Sequence, residues 1–312
     1  MSEFGFEGRV AVVTGAGRGI GRAYARLLAQ RGAKVVVNDL GGSMEGEGTD
    51  TGLAQSVVDE IEAAGGDAVA DTNDVSTQAG GEAIINTAVD HYGRVDIVVN
   101  NAGIIRWAGL PQVDLENLER HLAVHLLGSF NTMRAAWPHF IEQHYGRVVL
   151  TTSSGVFGLE NNLSYAAAKA GIVGLARSAK VAGEPHGIKV NLIAPAAQTR
   201  MAGGDPLGDD AQAVPGRPFM PSDAVAPMVA FLAHESCPVS GEIYTAGAGR
   251  FARLFIASTE GYVHEDGPAT VEDVAKNWDA INDETGYYVP KDLMAWSNSF
   301  LKHQLTPDRR TS

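Results

Sequence analysis

Thr14-Gly15-Ala16-Gly17-Arg18-Gly19-Ile20-Gly21 follows a β-branched run, Arg9–Thr14, and leads into an amphipathic segment, Arg22–Arg31. A strand that empties into a glycine-rich turn and then a helix is the opening unit of a dinucleotide-binding fold. Glycines permit the tight turn, let backbone N–H groups approach a pyrophosphate, and let the helix pack close to the strand. The helix N-terminus adds unpaired donors and positive dipole on the same side. This stretch therefore predicts a nucleotide site built from Gly15, Gly17, Arg18, Gly19 and Ile20.

Working outward, further short apolar runs lie at Lys34–Asp39, Asp67–Asp71, Val95–Asn100, Gly146–Thr152, Lys189–Ile193 and Glu242–Thr245. Each is continuous rather than alternating, as strands buried on both sides are. Between them lie the amphipathic segments Gly52–Ala64, Gln78–Tyr92, Leu115–Gln143 and Tyr165–Gly183. The alternation predicts an α/β fold: a doubly wound, Rossmann-type, seven-stranded parallel sheet with helices on both faces. Three stretches break the rhythm. Leu40–Thr51 is a glycine- and acid-rich insertion, and Ala196–Ser222 reads as a long loop suited to a substrate lid. Residues 251–312 form a C-terminal helical extension, expected to pack on the catalytic domain of residues 1–250 through Trp278, Tyr287, Tyr288, Trp296 and Phe300.

The 312 residues suffice for one large domain with an extension, and a net charge of −13 provides no general attraction for nucleic acid or an anionic membrane. No apolar run approaches the ~20 residues of a membrane span. The single cysteine, Cys237, forbids an intrachain disulfide and fits a reducing compartment. Neither end carries a recognisable address, so a soluble, cytoplasmic protein is expected. No metal-ligand spacing occurs.

Asp39 ends the second run, about 20 residues past the glycine turn, where a carboxylate accepts from both ribose hydroxyls and repels a 2′-phosphate. NAD is the expected cofactor, with Arg18 as the counter-argument because its guanidinium could pair with that phosphate. Tyr165 and Lys169 stand four apart on a helix and share a face. A free phenol titrates near ~10, and an adjacent ammonium lowers that value. The pair is suited to moving the proton of an alcohol as its hydride leaves.

The Gly-xxx-Gly-x-Gly spacing, Asn100-Asn101-Ala102-Gly103, Tyr165-xxx-Lys169 and Ile193-Ala194-Pro195 occur in the order and at the distances of the short-chain dehydrogenase/reductase family, which residues 8–247 resemble. The resemblance implies that Asp74 and Val75 line the adenine and that Asn101, Ala102 and Gly103 line the adenosine ribose. It implies that Pro195 belongs to the cofactor site and that Thr199 holds the nicotinamide amide. It also implies a serine at the end of the fifth strand to hold the substrate oxygen. Counting forward from Arg147 selects Ser153, whereas counting back from Tyr165 selects Thr152. Strand register is better determined than loop length, so Ser153 is preferred, with Thr152 and Ser154 as alternatives. Where the family carries a relay asparagine, this chain has His125, which either positions the relay water or simply packs in the core.

Val124–Phe130, Arg134-Ala135-Ala136-Trp137, Val37–Gly42 and the tail segment Ala275-Lys276-Asn277-Trp278 resemble one branch, the dehydrogenase modules of peroxisomal multifunctional enzymes type 2. That likeness implies NAD-dependent oxidation of a (3R)-hydroxyacyl-CoA or a hydroxysteroid by a homodimer or homotetramer. A CoA thioester needs cations for its phosphates, for which Arg106, Arg200 and Arg217 are candidates. A steroid needs an apolar slot, for which Trp107, Leu110 and Phe219 are candidates. The competing readings are an NADPH-dependent 3-ketoacyl reductase and a nucleotide sensor without catalysis.

Overall fold

Strands β1 (Val10–Thr14), β2 (Lys34–Asn38), β3 (Asp67–Asp71), β4 (Ile97–Asn100), β5 (Gly146–Thr151), β6 (Ile188–Pro195), β7 (Ile243–Gly247) and β8 (Arg250–Leu254) form one sheet in the computed structural model. The structure describes residues 4–197, 219–265 and 267–305. Strand order is β3-β2-β1-β4-β5-β6-β7-β8, and every pairing from β3 to β7 is parallel. The order reverses between β1 and β4, and ligands of such sheets bind at the carboxyl ends beside that crevice.

The continuous apolar runs become strands covered on both faces. All of β1 and β4 is buried, and Val13, Val37, Val99 and Val149 join one core cluster. Helices α1 (Gly19–Gln30), α2 (Gly52–Ala63) and α7 (Ala226–Ala233) pack together over one face. On the other, α3 (Gln78–Tyr92) packs against α5 (Gly128–Gln143), and α6 (Leu163–Gly183) lies over β5 and β6.

Two expectations need correction. The sheet has eight strands, not seven. Ala248 and Gly249 both have positive φ, the backbone of a two-residue hairpin turn, so β8 folds back as an antiparallel edge. This strand also carries the sheet past residue 250. Second, Leu115–Gln143 is not one regular helix. Helix α4 (Leu115–His121) passes into a π-helical turn, Leu122–Leu127, before α5 begins. Ser129 Oγ donates to His125 O (2.6 Å) and Thr132 Oγ1 to Gly128 O (3.1 Å), so side chains take carbonyls that a widened turn leaves loose.

The chain divides into two units, Met1–Arg253 and Leu254–Ser312. The second holds α8 (Val271–Lys276), α9 (Trp278–Asn282), α10 (Leu293–Phe300) and α11 (Lys302–Leu305). Within it Ser258 pairs antiparallel with Tyr288, Phe255 stacks on Tyr287 and Trp296 on Phe300.

Candidate active site

The glycine turn is tight enough to define a cradle. Gly15 (φ 62°) leaves 2.7 Å between the position of an added Cβ and Ala102 Cα, and at Gly21 that position lies 2.2 Å from Gly15 O. Asn101 pins the turn: its Nδ2 donates to Thr14 O (3.1 Å) and Gly15 O (3.0 Å). Thr14 Oγ1 in return accepts from the N–H groups of Asn101 and Ala102. Asn101 therefore spends its side chain on the turn, and Asn101, Ala102 and Gly103 are among the residues lining the cleft above.

Gly15, Arg18, Gly19, Ile20, Asp39, Asp74 and Val75 line that same cleft. Gly17 does not; its N–H donates to Asp39 Oδ2 (2.8 Å), and Gly41 N–H donates to Oδ1 (2.7 Å). Each carboxylate oxygen thus keeps one acceptor position, the number a ribose diol needs. Arg18 caps nothing at the start of α1. Its Nη2 donates to Gly42 O (2.8 Å), and its Nε is buried without a partner among the described residues. A cradle that no Cβ could enter, an orphan cationic donor and a two-sided carboxylate fit a dinucleotide. Pro195 closes β6 outside this cleft, and Thr199 lies outside the described residues.

The second cluster is set by β5 and α6. Tyr165 and Lys169 lie one turn apart in α6, and Ser153 Oγ and the Tyr165 ring converge on Gly155, where an added Cβ would stand 3.2 Å from the one and 3.4 Å from the other. Ser153 Oγ also accepts from Gly155 N–H (3.0 Å) at the head of a 3₁₀ turn. The neighbouring hydroxyls are placed differently. Thr152 Oγ1 is buried and donates to Lys169 O (2.8 Å), while Ser154 is exposed. Of the three candidates, Ser153 is the one set beside the Tyr165 ring.

The electrostatics differ from expectation. Burial pushes the Tyr165 phenol up from its ordinary value, and the neighbouring Ser153 hydroxyl pulls against it. Lys169 does not lower it: its Nζ lies 5.5 Å from the ring centroid and donates to Thr151 O (2.7 Å). Burial brings Lys169 itself down to about 7. The same desolvation that disfavours phenolate disfavours ammonium, so the charge expected to acidify the tyrosine is itself weakened.

His125 sits on the π-helical turn with its ring edge-on to Tyr165, centroids 5.2 Å apart. Nε2 lies 2.8 Å from Ile104 O and 3.2 Å from Ile104 N. Burial, then the Lys169 charge, hold it well below the usual imidazole range, so it is neutral. The shorter contact assigns the proton to Nε2, leaving Nδ1 a buried acceptor without a partner among the described residues. Asn100 Nδ2 and Thr151 Oγ1, at the ends of adjacent strands, are orphaned in the same way.

Sequence reasoning missed His121. It stacks on His125 (5.9 Å, 9°), approaches Tyr165 edge-on and is fully buried. Nδ1 faces Asn117 O (2.7 Å) and Nε2 accepts from Arg106 N–H (3.3 Å), which determines its tautomer. Its i−4 spacing from His125 was the available signal.

Arg106 is not turned toward a substrate phosphate. Its guanidinium is spent on Glu45 O, Glu47 and Glu116. Arg200 and Arg217 lie outside the described residues, whereas Trp107, Leu110 and Phe219 are exposed. Among the described residues no group of three or more His, Cys, Asp or Glu could hold a metal, and no helix is long and apolar enough to cross a membrane.

The short chain dehydrogenase family model matches residues 9–205. A short-chain type dehydrogenase/reductase of Mycobacterium tuberculosis is 44% identical over 283 residues, covering 90% of this chain and 96% of that one. The peroxisomal multifunctional enzyme type 2 of Drosophila melanogaster is 43% identical over 285 residues, but the chain spans 46% of that longer protein. Its solved structure superposes with a TM-score of 0.78 at 33% identity, covering 96% of this chain and 50% of that one. A hydroxyacyl-CoA dehydrogenase of M. tuberculosis is 39% identical over 253 residues, covering 76% of each. A 7α-hydroxysteroid dehydrogenase solved with NADH and a 7-oxo bile acid superposes with a TM-score of 0.69 at 29% identity, covering 79% of this chain and 95% of that one.

Proposed function

The chain belongs to the short-chain dehydrogenase/reductase family, and from that premise we propose that it oxidises the hydroxyl of a 3-hydroxyacyl-CoA thioester with NAD. The observation that carries the chemistry is the Ser153 hydroxyl beside the Tyr165 ring, one helical turn from a buried Lys169. When bound, nicotinamide accepts or returns the hydride. Ser153, held by Gly155 N–H, orients the substrate oxygen toward the phenol. Tyr165 takes the hydroxyl proton in oxidation and returns it to the carbonyl oxygen in reduction. Lys169, brought down to about 7 by burial, does not acidify the phenol at rest and favours the phenolate only while it holds a proton. The bare Nδ1 of neutral His125, with the orphan Asn100 Nδ2 and Thr151 Oγ1, supports a buried water chain that carries the proton away from Lys169.

Asp39 supports NAD over NADP, since its carboxylate lines the cleft with one free acceptor position on each oxygen. Gly15, Arg18, Gly19 and Ile20 would hold the pyrophosphate side, Asp74 and Val75 the adenine side and Pro195 the nicotinamide side, with Gly17 N–H positioning Asp39. The hydroxyacyl-CoA and multifunctional relatives support the thioester. A hydroxysteroid is the second reading, favoured by the commitment of Arg106 to the loop beside it and by exposed Trp107 and Leu110. Exposed Leu127, Phe130 and Ile141 on the π turn and α5 support a homo-oligomer, and the acidic, single-cysteine composition supports a cytoplasmic setting.

The test is a nicotinamide-reduction assay with a (3R)-hydroxyacyl-CoA and a 17β-hydroxysteroid, each with NAD and NADP. The thioester with NAD should turn over fastest, and Asp39→Ser should narrow the NAD preference by about tenfold, the worth of one charge-assisted contact. Turnover of the steroid alone would shift the conclusion to the second reading. A wild-type preference for NADP would sink the role given to Asp39.

A further inference from the structure

The glycine- and acid-rich insertion after β2 is absorbed by neither the sheet nor the chemistry. It lies against the cofactor cleft: Leu40, Gly42, Ser43, Met44 and Gly46 line one side, while Ile104, Arg120 and Val124 line another. Its shape is preformed. Ser43 Oγ accepts from the N–H groups of Glu45 and Glu47, Ser43 N–H donates to Glu47 O, and Asp50 N–H donates to Leu40 O.

It is also fastened at both edges. Arg18 Nη2 donates to Gly42 O (2.8 Å), Ile105 N–H to Met44 O (2.9 Å), Arg106 Nε to Glu45 O (2.8 Å) and Arg120 Nη2 to Gly46 O (2.9 Å). Arg106 adds an ion pair with Glu47 (3.6 Å). At Gly46 an added Cβ would stand 2.9 Å from Ile104 Cγ2, so the loop touches the opposite wall directly. Four carbonyls within five residues are thus captured, three of them by arginines. Solvent satisfies the carbonyls of an ordinary surface loop at no cost in long, flexible side chains. The segment that does the fastening is itself pinned from the catalytic side: His125 holds Ile104 and His121 holds Arg106 N–H.

We propose that residues 42–47 form a roof latched over the bound dinucleotide, with Arg106 and Arg120 as positioning residues that set how long the cofactor stays. The inference rests on the cofactor reading above. Because the latch bridges to Ile104–Arg106, the roof and the rings around Tyr165 are joined through one short segment, with Ile104 and Arg106 held from both sides. The cofactor is enclosed from the side of the insertion, and its escape requires those bonds to open.

The experiment is stopped-flow displacement of NADH, followed by its fluorescence, from the full-length protein. Arg106→Ala and Arg120→Ala should each raise the dissociation rate constant by about tenfold, as loss of a charged hydrogen bond does, and the double variant should raise it further. Arg120→Lys, which keeps one donor for Gly46 O, should recover most of the slow release. Glu116→Ala removes a contact of Arg106 outside the roof and should leave release at the wild-type rate. In amide exchange, residues 42–47 should gain protection when NADH is added to the wild type. Wild-type protein that binds no NADH would overturn the cofactor reading and the roof with it. Tight wild-type binding with unchanged release from both folded alanine variants would overturn the roof alone.

Discussion

The cofactor cradle and the catalytic corner meet at the same end of the sheet but are made of different materials. The cradle is backbone: glycines without room for a Cβ, N–H groups on Asp39, and carbonyls tied by Asn101. The corner is titratable side chains, half-buried Tyr165 and buried Lys169, His125 and His121, all held toward their neutral forms by desolvation. A backbone site is sensitive to shape and nearly indifferent to pH. A site of buried neutral groups is sensitive to protonation, and its chemistry depends on which group next takes a charge.

The largest break between the two halves should come from Tyr165→Phe. Turnover should fall by about a thousandfold, within the usual range for losing a general acid–base group, while NADH affinity changes less than about threefold. Near-normal turnover in a steady-state assay would remove Tyr165 from the mechanism. The converse variant, Gly15→Ala, should weaken NADH binding by about a hundredfold. It forces a side chain into φ 62° and against Ala102, at a cost of about 2 kcal/mol before the cradle distorts further. Unaltered affinity by fluorescence titration would contradict the cradle geometry.

The smallest effect sharpens the contrast through pH. Lys169 falls to about 7 in the fold, whereas unfolded lysine titrates near ~10.4, so between those values the unfolded chain binds more protons. Stability should therefore rise with pH from about 7 toward 10, by up to about 1.4 kcal/mol per pH unit from this group. Tyr165, raised in the fold, acts in the opposite direction once unfolded tyrosine ionises near ~10. Lys169→Met should flatten the rise in urea melts taken across this range. An unchanged slope would mean that the buried lysine is not the group responsible.

How much could be read in advance follows the same division. The glycine turn, Asp39 and the paired Tyr165 and Lys169 are legible because each depends on local backbone geometry or on one helical turn. Strand register preferred Ser153 over Thr152, and in the structure Thr152 Oγ1 donates to Lys169 O while Ser153 lies beside the Tyr165 ring. The π-helical turn was not legible. Leu115–Gln143 is apolar at ordinary helical spacing, and the widening depends on Ser129 and Thr132 turning back onto carbonyls. The eighth strand was hidden in a similar way, behind an Ala248-Gly249 turn that resembles the end of a domain.

By itself, the sequence determined the doubly wound fold, the glycine cradle and the face shared by Tyr165 and Lys169, because local periodicity and missing side chains dictate them. Only the tertiary structure decided the charges. Whether Lys169 acidifies Tyr165 or is neutralised beside it depends on how much water the surrounding elements exclude. It also decided the destination of Arg106, which a basic-residue count assigns to substrate and the fold assigns to the insertion beside the cofactor cleft. Desolvation and long-range hydrogen bonds are sums over elements far apart in the chain, and no window of sequence contains them.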